Sequence, residues 1–137
     1  FYFFADNIKF FKKSGRVTGF IAFMGGMMGV KPIIYIGEDG KMTSIGSAMS
    51  RKKAIDKILE YVDELQVDIK NYPCVIAHSD ADYLVDDVKA KLHEKYGEDL
   101  KIEVIYVNPA AGSHCGPDAL GLAFHAKKRT ADSLNSK

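Results

Sequence analysis

The chain has 137 residues, of which 47% are hydrophobic and 27% charged, and a formal net charge of +1. That length suits one domain with a core of its own, and the near-neutral charge excludes a role resting on general attraction to nucleic acid or to an anionic membrane surface. Two cysteines make no disulfide framework, which favours a reducing compartment.

The chain opens FYFFAD, with no basic n-region and no initiator Met. It carries no signal peptide pattern, and an opening inside an apolar strand is expected of a fragment of something longer. Residues 1–4 read as a short strand. Asp6 or Asn7 is placed to cap a short helix through IKFFKK, and Gly15 to stop it. Residues 17–30, VTGFIAFMGGMMGV, are apolar nearly all round. Fourteen residues fall short of the about 18 that a membrane span needs, so the segment reads as a buried helix or an irregular apolar stretch. PIIYIG and KMTSIGSAM flank EDGK, whose Asp39-Gly40 predicts a hairpin.

RKKAIDKILEYVDEL predicts an amphipathic helix, with Ala54, Ile55, Ile58, Leu59, Val62 and Leu65 on one face. PCVIAHS reads as a buried strand. Ser79 with Asp82 resembles a capping box opening a second helix, which turns Leu84, Val85, Val88 and Leu92 inward and ends at Gly97. KIEVIYV alternates as a strand, a loop follows, and LGLAFHAK reads as the last strand. KKRTADSLNSK is a polar tail expected to fray. The order β-α-α-β-β-α-β-α-β-β predicts an α/β two-layer sandwich, a mixed and mostly antiparallel sheet of about six strands with helices on one face.

GSHCGPDALGLAF, residues 112–124, places His114 beside Cys115 between glycines. A Cys–His nucleophile needs converging side chains, whereas sequence neighbours usually diverge. Four His and two Cys, scattered, supply no zinc cluster, so no metal site is expected. Two readings stay open. In one, Gly112, Ser113 and Gly116 let the backbone present N–H groups and His114 donates to an anion. In the other, this is a Gly-Pro turn with a hydrogen-bonded histidine. The 17–30 segment is equally ambiguous: its Met, Phe and Gly mixture is plain core or the wall of a pocket for a flexible apolar ligand. Arg16 and Arg51 lie at predicted helix edges and suit carboxylate or phosphate recognition, while Lys52 and Lys53 read as a solvated charge run.

Four spaced motifs, FFKKSGRVTG, GVKPIIYIGEDGKM, SRKKAIDKI and GSHCGPDALGLAF, resemble the DegV family of bacterial fatty-acid-binding proteins, in the family's order and from about Phe4 to Phe124. The resemblance implies that residues 1–127 correspond to the C-terminal, lipid-binding domain of a two-domain protein. Residues 128–137 would be the tail, and the N-terminal domain, with its own ligand-binding serine and threonine, is absent from this sequence. It implies a cytoplasmic carrier, without catalytic residues, cofactor or nucleic-acid partner, that meets the membrane only transiently. The carrier would bury the tail of a long-chain fatty acid and present the carboxylate at the interdomain cleft. There a separate ATP-binding fatty acid kinase subunit would make the acyl phosphate used in phospholipid synthesis. His114 matches the family's head-group histidine, with Gly116 and Pro117 following; Cys115 replaces a usual threonine and Asp118 a usual glycine. Met49 stands where the family has an arginine, and Arg51, two residues on, shares its strand face if the strand continues. The expected head-group set is therefore His114, Arg51, Gly116 and Ser113, and the expected tail pocket Phe20, Ile21, Phe23, Met24, Met27 and Met28. The alternatives are an enzyme using Cys115 or His114 and a structural or interaction domain with a solid core.

Overall fold

The computed structural model describes residues 1–14 and 29–127. In chain order these form β1 (Tyr2–Phe4), α1 (Lys9–Ser14), β2 (Lys31–Ile36), β3 (Met42–Ala48), α2 (Arg51–Leu65), a 3-10 turn (Ile69–Asn71), β4 (Cys74–Ser79), α3 (Asp82–Tyr96), β5 (Ile102–Tyr106), α4 (Pro109–Cys115) and β6 (Ala119–Ala123). One six-stranded sheet runs in the order β3-β2-β1-β6-β4-β5. Every pairing is antiparallel except β4 with β5, which are parallel and joined by α3 as a crossover. The mixed α/β sheet matches the sequence expectation.

Alternation along the strands divides the side chains between two faces. Tyr2, Phe4, Ile33, Tyr35, Ile76, Leu120 and Leu122 point to the face covered by α2 and α3, where they meet Ile55, Ile58, Val62, Val88 and Leu92 in the larger core. Phe3, Ile34 and Ala119 point to the other face, where Phe11 of α1 and Cys115 of α4 complete a smaller cluster. Both long helices lie on one face as anticipated; the short helix expected through IKFFKK forms as α1 but lies on the other face, together with α4, which the sequence reading missed.

Local chemistry explains most boundaries. Ser50 accepts the Lys53 N–H at 3.1 Å and caps α2. Asn7 rather than Asp6 serves α1, accepting the Lys9 N–H at 2.9 Å. The β2–β3 hairpin turns at Gly40, whose φ of 74° is open to glycine without strain; Asp39 Oδ1 takes the Lys41 N–H at 3.0 Å. Gly97, φ 101°, ends α3.

Four expectations need correction. Ser79 does not cap α3: the N-cap is Ala81, and its N–H donates to Nδ1 of the buried His78 at 3.2 Å. The stretch before β6 is not an open loop but α4, fixed by Asn108 accepting the Ala111 N–H and by Pro109 in the first turn. The last strand ends at Ala123, because the backbone beyond it turns to pair with the end of α2: the Val67 N–H meets His125 O and the Lys127 N–H meets Leu65 O. Finally, β3 stops at Ala48, so Arg51 is the first residue of α2 and not a strand neighbour of the exposed Met49.

Candidate functional site

Among the described residues the smaller face does not close. A cavity of about 210 Å³ lies between the sheet and the two short helices, and its floor crosses five strands: Ala77 of β4, Gly121 of β6, Phe3 of β1, Ile36 of β2 and Met42 of β3. Four interstrand spacings make this a path on the order of 19 Å long. Phe1, Phe11, Val107, Ala111, His114, Cys115, Ala119 and Leu120 complete the wall. Among the described residues the lining is apolar but for His114 and the Cys115 thiol.

Gly121 gives the floor its shape. A Cβ there would collide with Phe3 and with Tyr2 O, and would come within 2.8 Å of Phe1 Cζ. Its absence lets Phe1 and Phe3 stack over the sheet, with ring centroids 5.5 Å apart. α1 and α4 lean on each other above the floor. Gly116, at the C-cap of α4 with φ 72°, sits under the Phe10 ring, where a Cβ would clash.

Among the described residues, His114 is the only one of the four head-group candidates that lines this cavity. Its Nδ1 is buried without a hydrogen-bond partner among the described residues, an expense that buried polar atoms rarely carry. Ser113 donates to Ala110 O at 2.7 Å, and the N–H groups of Gly112 and Gly116 are used inside α4, donating to Asn108 O and Gly112 O. These donors are spent on the helix.

Arg51 belongs to a separate ionic cluster at the sheet end where β1 stops and β6 starts. Its Nε donates to Asp6 Oδ1 at 2.7 Å and its Nη2 lies 3.6 Å from Asp118 Oδ2. Lys31 Nζ also meets Asp6, at 2.9 Å, and Tyr83 donates to Asp118 at 2.6 Å while its ring lies under the Arg51 guanidinium. The Arg51 hydrogen bond, with Lys31 behind it, holds the Asp6 carboxyl below its ordinary range despite partial burial. Asp118 is two residues past Gly116 and has φ 62°, so this cluster anchors the turn that leaves α4.

Cys115 is buried, and burial raises its thiol pKa. Its Sγ faces Gly112 O at 4.0 Å. A nucleophilic thiol requires the opposite shift. No group of three or more His, Cys, Asp or Glu positioned for a metal occurs among the described residues, and no helix among them is long and apolar enough to cross a membrane.

The expected tail-pocket residues Phe20, Ile21, Phe23, Met24, Met27 and Met28 lie outside the described residues. The sequence reading missed Phe1, Phe3, Phe11, Ile36 and Met42 as cavity lining. One signal was there: FYFF is apolar at every position, which marks a strand buried on both faces and hence a second covering layer.

Comparison with known proteins gives a consistent family. A family model described as "Uncharacterised protein, DegV family" matches residues 1–127. A DegV domain-containing protein of Clostridium perfringens is 27% identical over 124 residues, covering 90% of this chain and 42% of that protein. The structure is similar to a fatty acid binding DegV family protein from Streptococcus agalactiae (TM-score 0.77, 23% identity, 93% of this chain and 44% of that one). It is similar, too, to the Streptococcus pneumoniae Fatty Acid Kinase B3 protein loaded with linoleic acid (TM-score 0.78, 13% identity, 92% and 44%). At these identities the two structures establish the fold. The chain spans less than half the length of the relatives it matches.

Proposed function

The chain belongs to the DegV family, and from that premise we propose that its smaller sheet face binds the acyl chain of a long-chain fatty acid and directs the carboxylate toward His114. The observation that carries this reading is the apolar cavity with one orphaned ring nitrogen in its wall. A fatty acid is an anion on a long apolar chain. Burial of its methylenes, worth about 0.8 kcal/mol each, dominates affinity, and a single polar contact fixes direction. The named ligands of similar structures, linoleic acid among them, support the same class.

In this proposal the protein is a carrier and not an enzyme. The bound acid would be offered to a separate ATP-binding kinase subunit in the cytoplasm, and the N-terminal part of a two-domain DegV protein would complete the head-group site over residues 1–127. Phe20, Ile21, Phe23, Met24, Met27 and Met28 are proposed to extend the tail pocket. Ser113 and Gly116 would act by shaping the end of α4 that holds His114, and Arg51 by anchoring Asp118. The raised thiol pKa of Cys115 argues against the alternative of a cysteine enzyme.

Mass spectrometry of lipid extracted from the purified intact protein tests the proposal. A co-purifying fatty acid is expected. His114→Ala should retain acyl-chain binding while losing phosphorylation by the kinase subunit. Absence of bound lipid together with no uptake of added fatty acid would sink the reading.

A further inference from the structure

β3 and β5 form the two edges of the sheet. An edge strand shows unpaired N–H and C=O groups to any strand that comes near, and proteins usually guard it with charge, a bulge or a covering side chain. β3 is guarded: a register shift interrupts its pairing with β2, and Lys57 Nζ, reaching over from α2, donates to Ser47 O at 3.2 Å. β5 has none of these devices among the described residues. Its sequence, IEVIY, holds no Pro, Gly or Lys and a single charge, Glu103, and its pairing with β4 runs to Tyr106 without a register shift. Its apolar side chains are open as well: Val104 is 38% exposed, Ile105 48% and Tyr106 68%.

The backbone of β5 sorts into two sets. The Cys74 N–H donates to Lys101 O at 2.8 Å and the Val107 N–H to His78 O at 3.0 Å, so the odd-numbered residues turn their amide groups toward β4. Ile102, Val104 and Tyr106 therefore turn theirs outward, where no strand among the described residues meets them. Their side chains share one face, with Val104 beside the core residue Ile76 and Tyr106 beside His78.

Such a strand is complementary to itself. About a twofold axis at Val104, an antiparallel second copy sets Val104 against its own counterpart and Ile102 against Tyr106. Every one of these pairs brings outward amide groups to outward amide groups and exchanges two hydrogen bonds. Glu103 then faces Ile105 and Lys101 faces Val107, so no like charges stand directly opposite. Ile102, Val104 and Tyr106 of both copies make one apolar stripe across the join.

We propose that β5 is a dimerisation edge, which pairs antiparallel with β5 of a second copy of this chain in the register centred on Val104 and joins two sheets into one. The partner is a second copy because the twofold register uses every outward amide group of the strand. A five-residue strand from each side makes a smaller contact than the roughly 1,600 Å² of a standard interface, so the dimer is reversible and depends on concentration. The inference stands apart from what the cavity holds.

The test is sedimentation equilibrium of the intact protein over a dilution series, for wild type and Val104→Pro. Proline at this position removes an outward N–H and no bond to β4, as edge strands tolerate. Wild type should show a monomer–dimer equilibrium, and Val104→Pro should weaken it about tenfold or more, the weight of the two hydrogen bonds lost at the axis. Cross-linking reads the register, and decides the matter if Val104→Pro does not fold. Val104→Cys should form an intermolecular disulfide on oxidation, because directly opposed hydrogen-bonded residues have Cα atoms about 5.5 Å apart, within disulfide reach. Lys101→Cys, exposed on the same strand end but far from its counterpart, should not. The inference is overturned by a protein that stays monomeric throughout, as it would if the rest of a longer chain covered β5. It is overturned equally by a dimer that a folded Val104→Pro leaves unchanged, or by equal cross-linking of the two cysteine variants.

Discussion

The two faces of the sheet are made by alternate residues of the same strands, yet they are finished differently. One is covered by two 15-residue helices, α2 and α3, whose inward residues Ala54, Ile58, Val62, Val88 and Leu92 are all but inaccessible. Among the described residues the other is covered by helices of six and seven residues, and a cavity remains. A four-turn amphipathic helix supplies enough apolar stripe to seal a face. A helix of two turns cannot, and its stability depends on what it leans against. The sealed face should therefore govern stability and the open one ligand choice.

The sharpest way to break this division is from the sealed side. Ile58→Ala removes a buried side chain, 1% exposed, from the larger core, and should cost about 2–5 kcal/mol. Chemical denaturation would measure the loss, and fatty-acid chain-length preference should stay as in wild type. A changed preference would mean that the two faces are not separable.

The next largest effect concerns the Asp6 cluster. Its hydrogen bond to Arg51 lowers the folded pKa of Asp6 beneath the unfolded value of about 3.9. The unfolded state therefore binds the proton more readily. The stabilisation is complete above that unfolded value and is lost as pH falls through the lower folded one. Asp6→Asn should cost about 1.5–3 kcal/mol near neutral pH, the weight of a charge-assisted hydrogen bond. It should also flatten the acid limb of melting temperature against pH. An acid limb unchanged in the variant would exclude Asp6 as its source.

Gly121→Val sharpens the comparison from the open side. The added side chain meets Phe3 and the Tyr2 carbonyl, and overpacking of this kind costs about 1–3 kcal/mol. Fatty-acid uptake should fall more than stability does. Equal uptake in wild type and variant would place the ligand elsewhere.

The smallest effect is expected at Cys115. Cys115→Ser keeps a small side chain beside Gly112 O, an acceptor for the new hydroxyl, and should change stability by only about 1 kcal/mol, leaving lipid binding and phosphorylation intact. Alkylation of the wild-type thiol should be slow near neutral pH, because burial raises its pKa. Rapid alkylation with loss of function would favour the cysteine-enzyme reading.

The same contrast explains what could be read from sequence. The sealed face rests on local patterns: the 3- and 4-residue spacing in α2 and α3 and the Asp39-Gly40 turn. The open face rests on contacts that no local pattern carries. Ala77, Gly121, Phe3, Ile36 and Met42 meet only because the strand order brings β4, β6, β1, β2 and β3 side by side. Arg51 stood out as a candidate, but its partners lie 45 and 67 positions away along the chain, at Asp6 and Asp118. α4 was obscured by Gly112 and Ser113, which are poor interior helix residues, although Asn108-Pro109 announced its start. Ser79 looked like a cap because the competing group, the ring nitrogen of His78, belongs to a residue with no local capping signature.

The central claim is that an acyl chain lies across the open face from His114 toward β3, and Met42→Trp tests it most directly. Met42 is half-buried at the β3 margin of the cavity, so an indole there fills the distal space with little demand on the core. The measurement is affinity for a series of saturated fatty acids of increasing length, in wild type and variant at matched thermal stability. The account predicts an optimum shifted to shorter chains, with short-chain affinity unchanged. An identical length profile in the two proteins would contradict it.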